Sequence, residues 1–173
     1  MQSTYGKAGQ IRLAIFDVDG VLTDGSLYLT DGGEEIKAFN SRDGHGMKML
    51  HASGVELAII TGRVSRAVEL RARDLGVGLL FQGAADKVAV FSQLVEQRAL
   101  DAAAVAYMGD DVVDLPVLRR CGLALTVPEA PFEVKQAAHY VTRARGGRGA
   151  VREACELILH AQGTLDRART GDA

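Results

Sequence analysis

The sequence predicts an α/β protein: an open, mostly parallel, Rossmann-like sheet with helices on both faces and a β-hairpin after the first strand. Three observations carry this expectation. Short runs that are apolar at almost every position recur along the chain, as parallel strands covered on both faces require. Segments with helical apolar spacing separate them. The 173 residues are 47% hydrophobic, with five Phe, four Tyr and no Trp. They suffice for one domain whose core is filled mainly by alanine, leucine and valine.

The first strand-like run is Ile11–Phe16. Ser26–Asn40 then breaks the alternation, with two short strands, Leu27–Thr30 and Glu35–Phe39, meeting at the turn signal Asp31-Gly32-Gly33. A lone ribbon is marginal in water, so Leu27, Tyr28, Leu29, Ile36 and Phe39 need a cover. Either the parent domain or a second subunit supplies it, and the second subunit is the expectation. Gly44–Ala52 has helical spacing, Val55–Ile60 is the next strand and Ser65–Leu75 the next helix. Leu79–Phe81 is a short strand. Lys87–Ala99 is a helix with Val88, Phe91, Leu94 and Val95 on one stripe. A strand at Ala104–Met108 and a helix at Val112–Arg120 follow. Next come a weaker strand at Leu123–Val127, a helix at Phe132–Ala138 and a sixth strand near His139–Val141. The last helix, about Ala150–Ala161, aligns Val151, Ala154, Cys155 and Ile158. The expected domain is 10–162, between mobile ends at 1–9 and 163–173.

Twenty basic and 22 acidic residues give a net charge of −2, which offers no electrostatic case for a nucleic-acid partner. No apolar run approaches the roughly 18 residues of a membrane span. The N-terminal Met1–Lys7 lacks the apolar centre of a signal peptide, so a cytoplasmic protein is expected. Cys121 and Cys155 read as buried thiols, and His45, His51, His139 and His160 have no metal-ligand spacing.

In open parallel sheets ligands sit beyond the carboxyl ends of the strands. Asp17-Val18-Asp19-Gly20 follows the first run, Thr61-Gly62-Arg63 the run ending at Ile60, and Gly109-Asp110-Asp111 the run ending at Met108. Asp86-Lys87 closes the loop after the third, and Asp114 lies three residues past Asp111. Two carboxylates spaced by two on extended backbone point the same way and repel. A divalent cation resolves that conflict, and an oxygen-only donor set favours Mg²⁺ over zinc. Thr61, the Gly62 amide and Lys87 supply donors for the outer oxygens of a phosphoryl group.

The order Asp17-x-Asp19-Gly20, Thr61, Lys87, Gly109-Asp110-Asp111 resembles the four motifs of the haloacid dehalogenase superfamily. The resemblance implies a phosphatase with Asp17 as nucleophile, carrying an aspartyl-phosphate, and Asp19 as general acid/base. It also implies Mg²⁺ held by the Asp17 carboxylate, the Asp19 backbone carbonyl and Asp110, with Asp111 or Asp114 in support. The gaps between motifs leave no room for the cap domain most members carry. Five stretches are similar to a lidless branch acting on phosphorylated sugar acids: Asp17–Gly25, Lys37–Asn40, Arg42–Gly44, Thr61–Arg63 and Gly146–Glu153. That similarity implies an eight-carbon substrate from lipopolysaccharide inner-core synthesis. It also implies a homotetramer with hairpin 26–40 and C-terminal segment 146–162 at neighbouring sites. Gly62, Arg63, Arg71, Arg42 and Arg148 are the candidate substrate contacts, with Arg63 and Arg71 favoured for the sugar carboxylate. Two related scaffolds remain open alternatives: a phosphatase for a nine-carbon ketoacid 9-phosphate, and a phosphatase-like oligomerisation module. A phospho-accepting receiver domain fits less well, because Asp24, Asp31 and Asp43 follow no buried run.

Overall fold

A computed structural model describes residues 3–170. Strands β1 (Leu13–Phe16), β4 (Glu56–Ile60), β5 (Leu79–Phe81), β6 (Val105–Met108), β7 (Leu123–Thr126) and β8 (Tyr140–Val141) form one sheet in the order β5-β4-β1-β6-β7-β8. Every pairing in it is parallel. Strands β1, β6 and β7 are buried at every position, which accounts for their unbroken apolar sequences. The order reverses between β1 and β6, so the crevice beyond their carboxyl ends is the place where such a sheet receives a ligand.

Helices cover the sheet in two groups. One contains α1 (Thr4–Ala8), α2 (Ser41–Ala52), α3 (Arg66–Leu75), α7 (Ala150–Ala161) and α8 (Leu165–Thr170). The other contains α4 (Lys87–Gln97), α5 (Leu115–Leu118) and α6 (Phe132–Ala137). Among the described residues no cap domain stands over the sheet. Among the described residues no helix is long and apolar enough to cross a membrane.

The differences from the sequence reading are local. Helix α2 starts at Ser41 rather than Gly44, because the Asn40 side chain accepts the Arg42 and Asp43 amides at 2.8 and 3.4 Å. The single helix expected over Val112–Arg120 is a 3₁₀ turn, Val112–Asp114, followed by α5, with Pro116 in the first turn of the helix. Short helices, α1 and α8, lie within the end segments 1–9 and 163–173, with too few apolar residues to signal them; residues 1–2 and 171–173 of those segments lie outside the described residues. The hairpin strands shrink to β2 (Tyr28–Leu29) and β3 (Glu35–Ile36). Leu27, Tyr28, Leu29 and Ile36 stay exposed, and only Phe39 packs against the core.

The C-terminal segment 146–162 packs on the core of its own chain. Helix α7 buries Val151, Ala154, Cys155, Ile158 and Leu159. Its N-cap, Gly149, has no side chain, so buried Asp43 from α2 takes the Gly149 and Arg152 amides at 3.2 and 2.8 Å. The turn before it presses on the loop after β1. A Cβ at Gly146 would lie 1.9 Å from the Gly20 carbonyl oxygen, so only glycine fits.

Candidate active site

The loop after β1 begins with Asp17, whose amide donates to Met108 O on β6 at 2.9 Å. One Asp17 oxygen accepts the Val18 amide at 2.7 Å and the other accepts Lys87 Nζ at 2.6 Å. Lys87 is the first residue of α4, held there by the Asp86 cap on the Ala89 amide. Its ammonium also donates to Asp114 Oδ1 at 2.7 Å. Buried Thr61 ends the β4 segment, its amide bonded to Phe81 O at 2.9 Å. Asp17, Asp19, Thr61, Gly62, Lys87 and Asp110 line one open cavity of about 310 Å³, with Arg63 and Asp111 on its wall. The four chain-distant motifs therefore meet at one place.

Charge in the cavity is unbalanced. Burial pushes the Asp17 carboxyl up to about 6, with Lys87 opposing the shift. Burial, together with repulsion from Asp17, Asp114 and Asp111, pushes Asp110 up to about 7. Burial alone would lower Lys87, yet the Asp17 and Asp114 carboxylates together hold it above its ordinary value. The Asp17, Asp110, Asp111 and Asp114 carboxyl groups share one ammonium, that of Lys87, so this cluster favours a further cation. Oxygens of Asp17, Asp110 and Asp114 lie within 4.8 Å of one another. Asp114 is already saturated by Lys87, the Tyr107 hydroxyl at 2.6 Å and the Asp110 and Asp111 amides at 3.0 and 3.2 Å. Asp111 caps the next turn through the Val112 amide. The Asp110 carboxylate instead lies against Gly20, where a Cβ would come within 2.0 Å of Oδ2. Asp17 and Asp110 are thus the side chains with lone pairs to offer, and a hard divalent cation suits them.

The arginines divide. Arg63 sits in the loop ahead of α3, not at the helix start, because Ser65 is the N-cap. It donates to Glu35 Oε2 at 2.5 Å, and its Nε is 3.8 Å from Asp19 Oδ2. Arg71 lies outside the cavity. It pairs with Asp74 at 2.7 Å, donates to Asn40 O at 3.3 Å and stands 5.9 Å from the Phe39 ring centroid, bracing the start of α2. Arg42 is exposed and lines neither this cavity nor its neighbour. Arg148 pairs with Asp24 at 3.5 Å on the rim of an adjoining hollow of about 270 Å³, which shares Gly25 and Asp110 with the cavity.

Three residues in the site went unassigned from sequence. Lys37, its side chain only 2% exposed, donates to Asp19 Oδ1 and lies 3.0 Å from Glu35 Oε1. Lys37 and Glu35 are two apart in the strand expected over Glu35–Phe39, a spacing that would put both on the same side of the ribbon, although β3 itself ends at Ile36. Tyr107 hides in a run that reads as plain core; its hydroxyl is the only signal, and sequence offers that hydroxyl no partner. The two thiols are buried and free, as expected, and burial raises both.

A doubly wound sheet that brings an Asp-x-Asp pair, a threonine, a lysine and an acidic pair to its switch point defines a haloacid dehalogenase-like hydrolase. The model of that family, described as haloacid dehalogenase-like hydrolase, matches residues 79–153. The chain is 51% identical over 163 residues to 3-deoxy-D-manno-octulosonate 8-phosphate phosphatase KdsC of Escherichia coli (strain K12), covering 94% of this chain and 87% of that one. A probable YrbI family phosphatase from Pseudomonas syringae pv. phaseolica superposes with a TM-score of 0.96 at 53% identity, covering 99% and 97% of the two chains. The 3-deoxy-D-manno-octulosonate 8-phosphate phosphatase of Moraxella catarrhalis was crystallised with magnesium ion, phosphate ion and KDO. It superposes with a TM-score of 0.95 at 40% identity, covering 98% of each chain. With these relatives the chain belongs to the family of 3-deoxy-D-manno-octulosonate 8-phosphate phosphatases.

Proposed function

We propose that this protein hydrolyses 3-deoxy-D-manno-octulosonate 8-phosphate to the free sugar acid and inorganic phosphate, with Asp17 as nucleophile. The observation that carries this reading is the convergence of Asp17, Asp19, Thr61, Lys87 and Asp110 on one cavity. In the first step an Asp17 carboxylate oxygen bonds to phosphorus as the bond from phosphorus to the sugar oxygen breaks. Asp19 gives its proton to the leaving alkoxide. In the second step Asp19 takes a proton from water, whose oxygen attacks phosphorus, and phosphate departs with Asp17 restored. Splitting one displacement into two lowers each barrier. Lys87, Thr61 and the Gly62 amide face the phosphoryl oxygens and stabilise their charge.

Mg²⁺ fits the Asp17 and Asp110 carboxylates, with the Asp19 carbonyl as a third donor. When bound it neutralises the charge that builds on the transferring group. The carboxylate of the sugar acid is read by Arg63, on the cavity wall, with Arg148 on the adjoining rim. The product serves lipopolysaccharide inner-core synthesis in the cytoplasm. The working form is a homotetramer in which the apolar ribbon face is covered by a neighbour. Segment 146–162 keeps only its exposed rim, including Arg148, for contact with another subunit.

Phosphate release from eight-carbon and nine-carbon sugar acid phosphates, with Mg²⁺ and with EDTA, tests this reading. The expected result is a higher kcat/KM for the eight-carbon substrate and loss of turnover in EDTA. A preference for the nine-carbon compound would reassign the substrate. Inertness towards both would leave an assembly module. Light scattering that finds a fully active monomer would remove the tetramer.

A further inference from the structure

We infer that Tyr107 is a positioning residue for this reaction, acting through Asp114 on the Lys87 ammonium that touches the nucleophile. The inference rests on the phosphatase reading above. Tyr107 is in the middle of the sheet, on β6 between β1 and β7, and is fully buried. A phenylalanine would fill the same space with no polar group to satisfy. The hydroxyl instead donates to Asp114 Oδ1 at 2.6 Å.

Asp114 Oδ1 is also one of two acceptors for Lys87, at 2.7 Å, the other being Asp17 Oδ2 at 2.6 Å. Lys87 is thereby shared almost evenly between a structural carboxylate and the nucleophile. The tyrosine hydroxyl occupies part of the acceptor capacity of Oδ1 and so weakens its hold on the ammonium. Without that hydroxyl Lys87 is drawn towards Asp114, away from Asp17 and the incoming phosphoryl group. Asp114 Oδ2 is held by the Asp110 and Asp111 amides, so the carboxylate cannot swing to compensate. Tyr107 touches neither substrate nor nucleophile; its effect passes through one buried oxygen.

The experiment compares wild type, Y107F, D114N and the double variant, with Tyr140→Phe as control. Tyr140 makes the same kind of bond, to Glu153 Oε1 at 2.8 Å, on β8 away from the cavity. Wild-type turnover of a phosphate monoester reads the phosphatase assignment separately from this inference. The expected result is that Y107F keeps its circular dichroism and its KM within twofold while kcat falls about tenfold. That is the order expected for a hydrogen bond to a charged group. The Tyr140→Phe variant keeps kcat within twofold. In the D114N background the further change Y107F costs less than twofold, because the oxygen through which it acts is altered. Unchanged kcat in Y107F, an equal loss in both backgrounds, or the same loss in the Tyr140 control overturns the inference.

Discussion

The ammonium of Lys37 donates to Oδ1 of Asp19, the proposed acid/base eighteen positions earlier in the chain. Lys37 follows β3 directly, so the hairpin reaches its own active site through its charged edge while its apolar face stays exposed. Glu35 from the same edge holds Lys37 and Arg63, and these two cations hold its carboxyl below the usual range. Replacing Lys37 by Met leaves Asp19 and Glu35 close together without their shared cation. The expected outcome is a kcat lower by about 10- to 100-fold, the span of one lost charge-assisted hydrogen bond. Faster amide exchange over the ribbon should accompany it. Kinetics together with exchange measurements check both, and a variant with wild-type kcat would separate the ribbon from catalysis.

Asp17→Asn removes the proposed attacking carboxylate. Turnover should fall by at least about 10⁴-fold, and acid quenching should trap no phosphorylated enzyme. Asp19→Asn leaves the nucleophile and removes proton transfer, for an expected loss of about 10²- to 10⁴-fold with an unchanged melting profile.

Gly20 has φ +83°, and a Cβ there would meet Asp110 Oδ2 at 2.0 Å. Gly20→Ala should therefore displace the Asp110 carboxylate as well as strain the loop. Titration with Mg²⁺ should show affinity weakened at least about tenfold. Wild-type affinity would mean that Asp110 is not a ligand.

Arg63 and Arg71 should separate cleanly. Arg63→Ala, on the cavity wall, should raise KM for the sugar acid phosphate about tenfold and leave that for a substrate lacking a carboxylate unchanged. Arg71→Ala should lower the melting midpoint by a few degrees, about 1 kcal/mol, through loss of the Asn40 and Asp74 contacts, with KM little altered. The reverse pattern would move the substrate carboxylate to α3.

The carboxyls of Asp17 and Asp110 sit at about 6 and about 7, above their ordinary value of 3.8. The folded, metal-free protein therefore binds more protons than the unfolded chain between about pH 4 and 7. The stability these groups contribute is complete below about pH 4 and is lost as pH rises through 6 and 7. Mg²⁺ replaces the missing positive charge, so its stabilising effect should grow from pH 5 to pH 8. Melting curves with Mg²⁺ and with EDTA at both pH values measure this. An equal gain at each would contradict it.

The sheet was legible because β1, β6 and β7 are buried on both faces, and that burial leaves runs such as Leu13–Phe16 apolar throughout. The principal acids were legible for a related reason. A site at the carboxyl ends of parallel strands places its residues directly after those runs, so Asp17, Thr61 and Asp110 announce themselves by position. Apolar spacing failed where it carries no signal. The start of α2 depends on which oxygen caps it, and α1 and α8 are too short to show periodicity.

By itself the amino-acid order determined the sheet and singled out the acid pair, Thr61, Lys87 and Asp110 as candidates, since most of them stand directly after an apolar run and together they resemble one family's motifs. Only the tertiary structure decided that Lys37 rather than a distant group meets Asp19, that Arg71 braces α2, and that Tyr107 reaches Asp114. Those pairings join segments far apart in the chain. Whether a charge lands in a cavity or on a helix flank depends on distances across the folded core, and residue type alone carries none of that information.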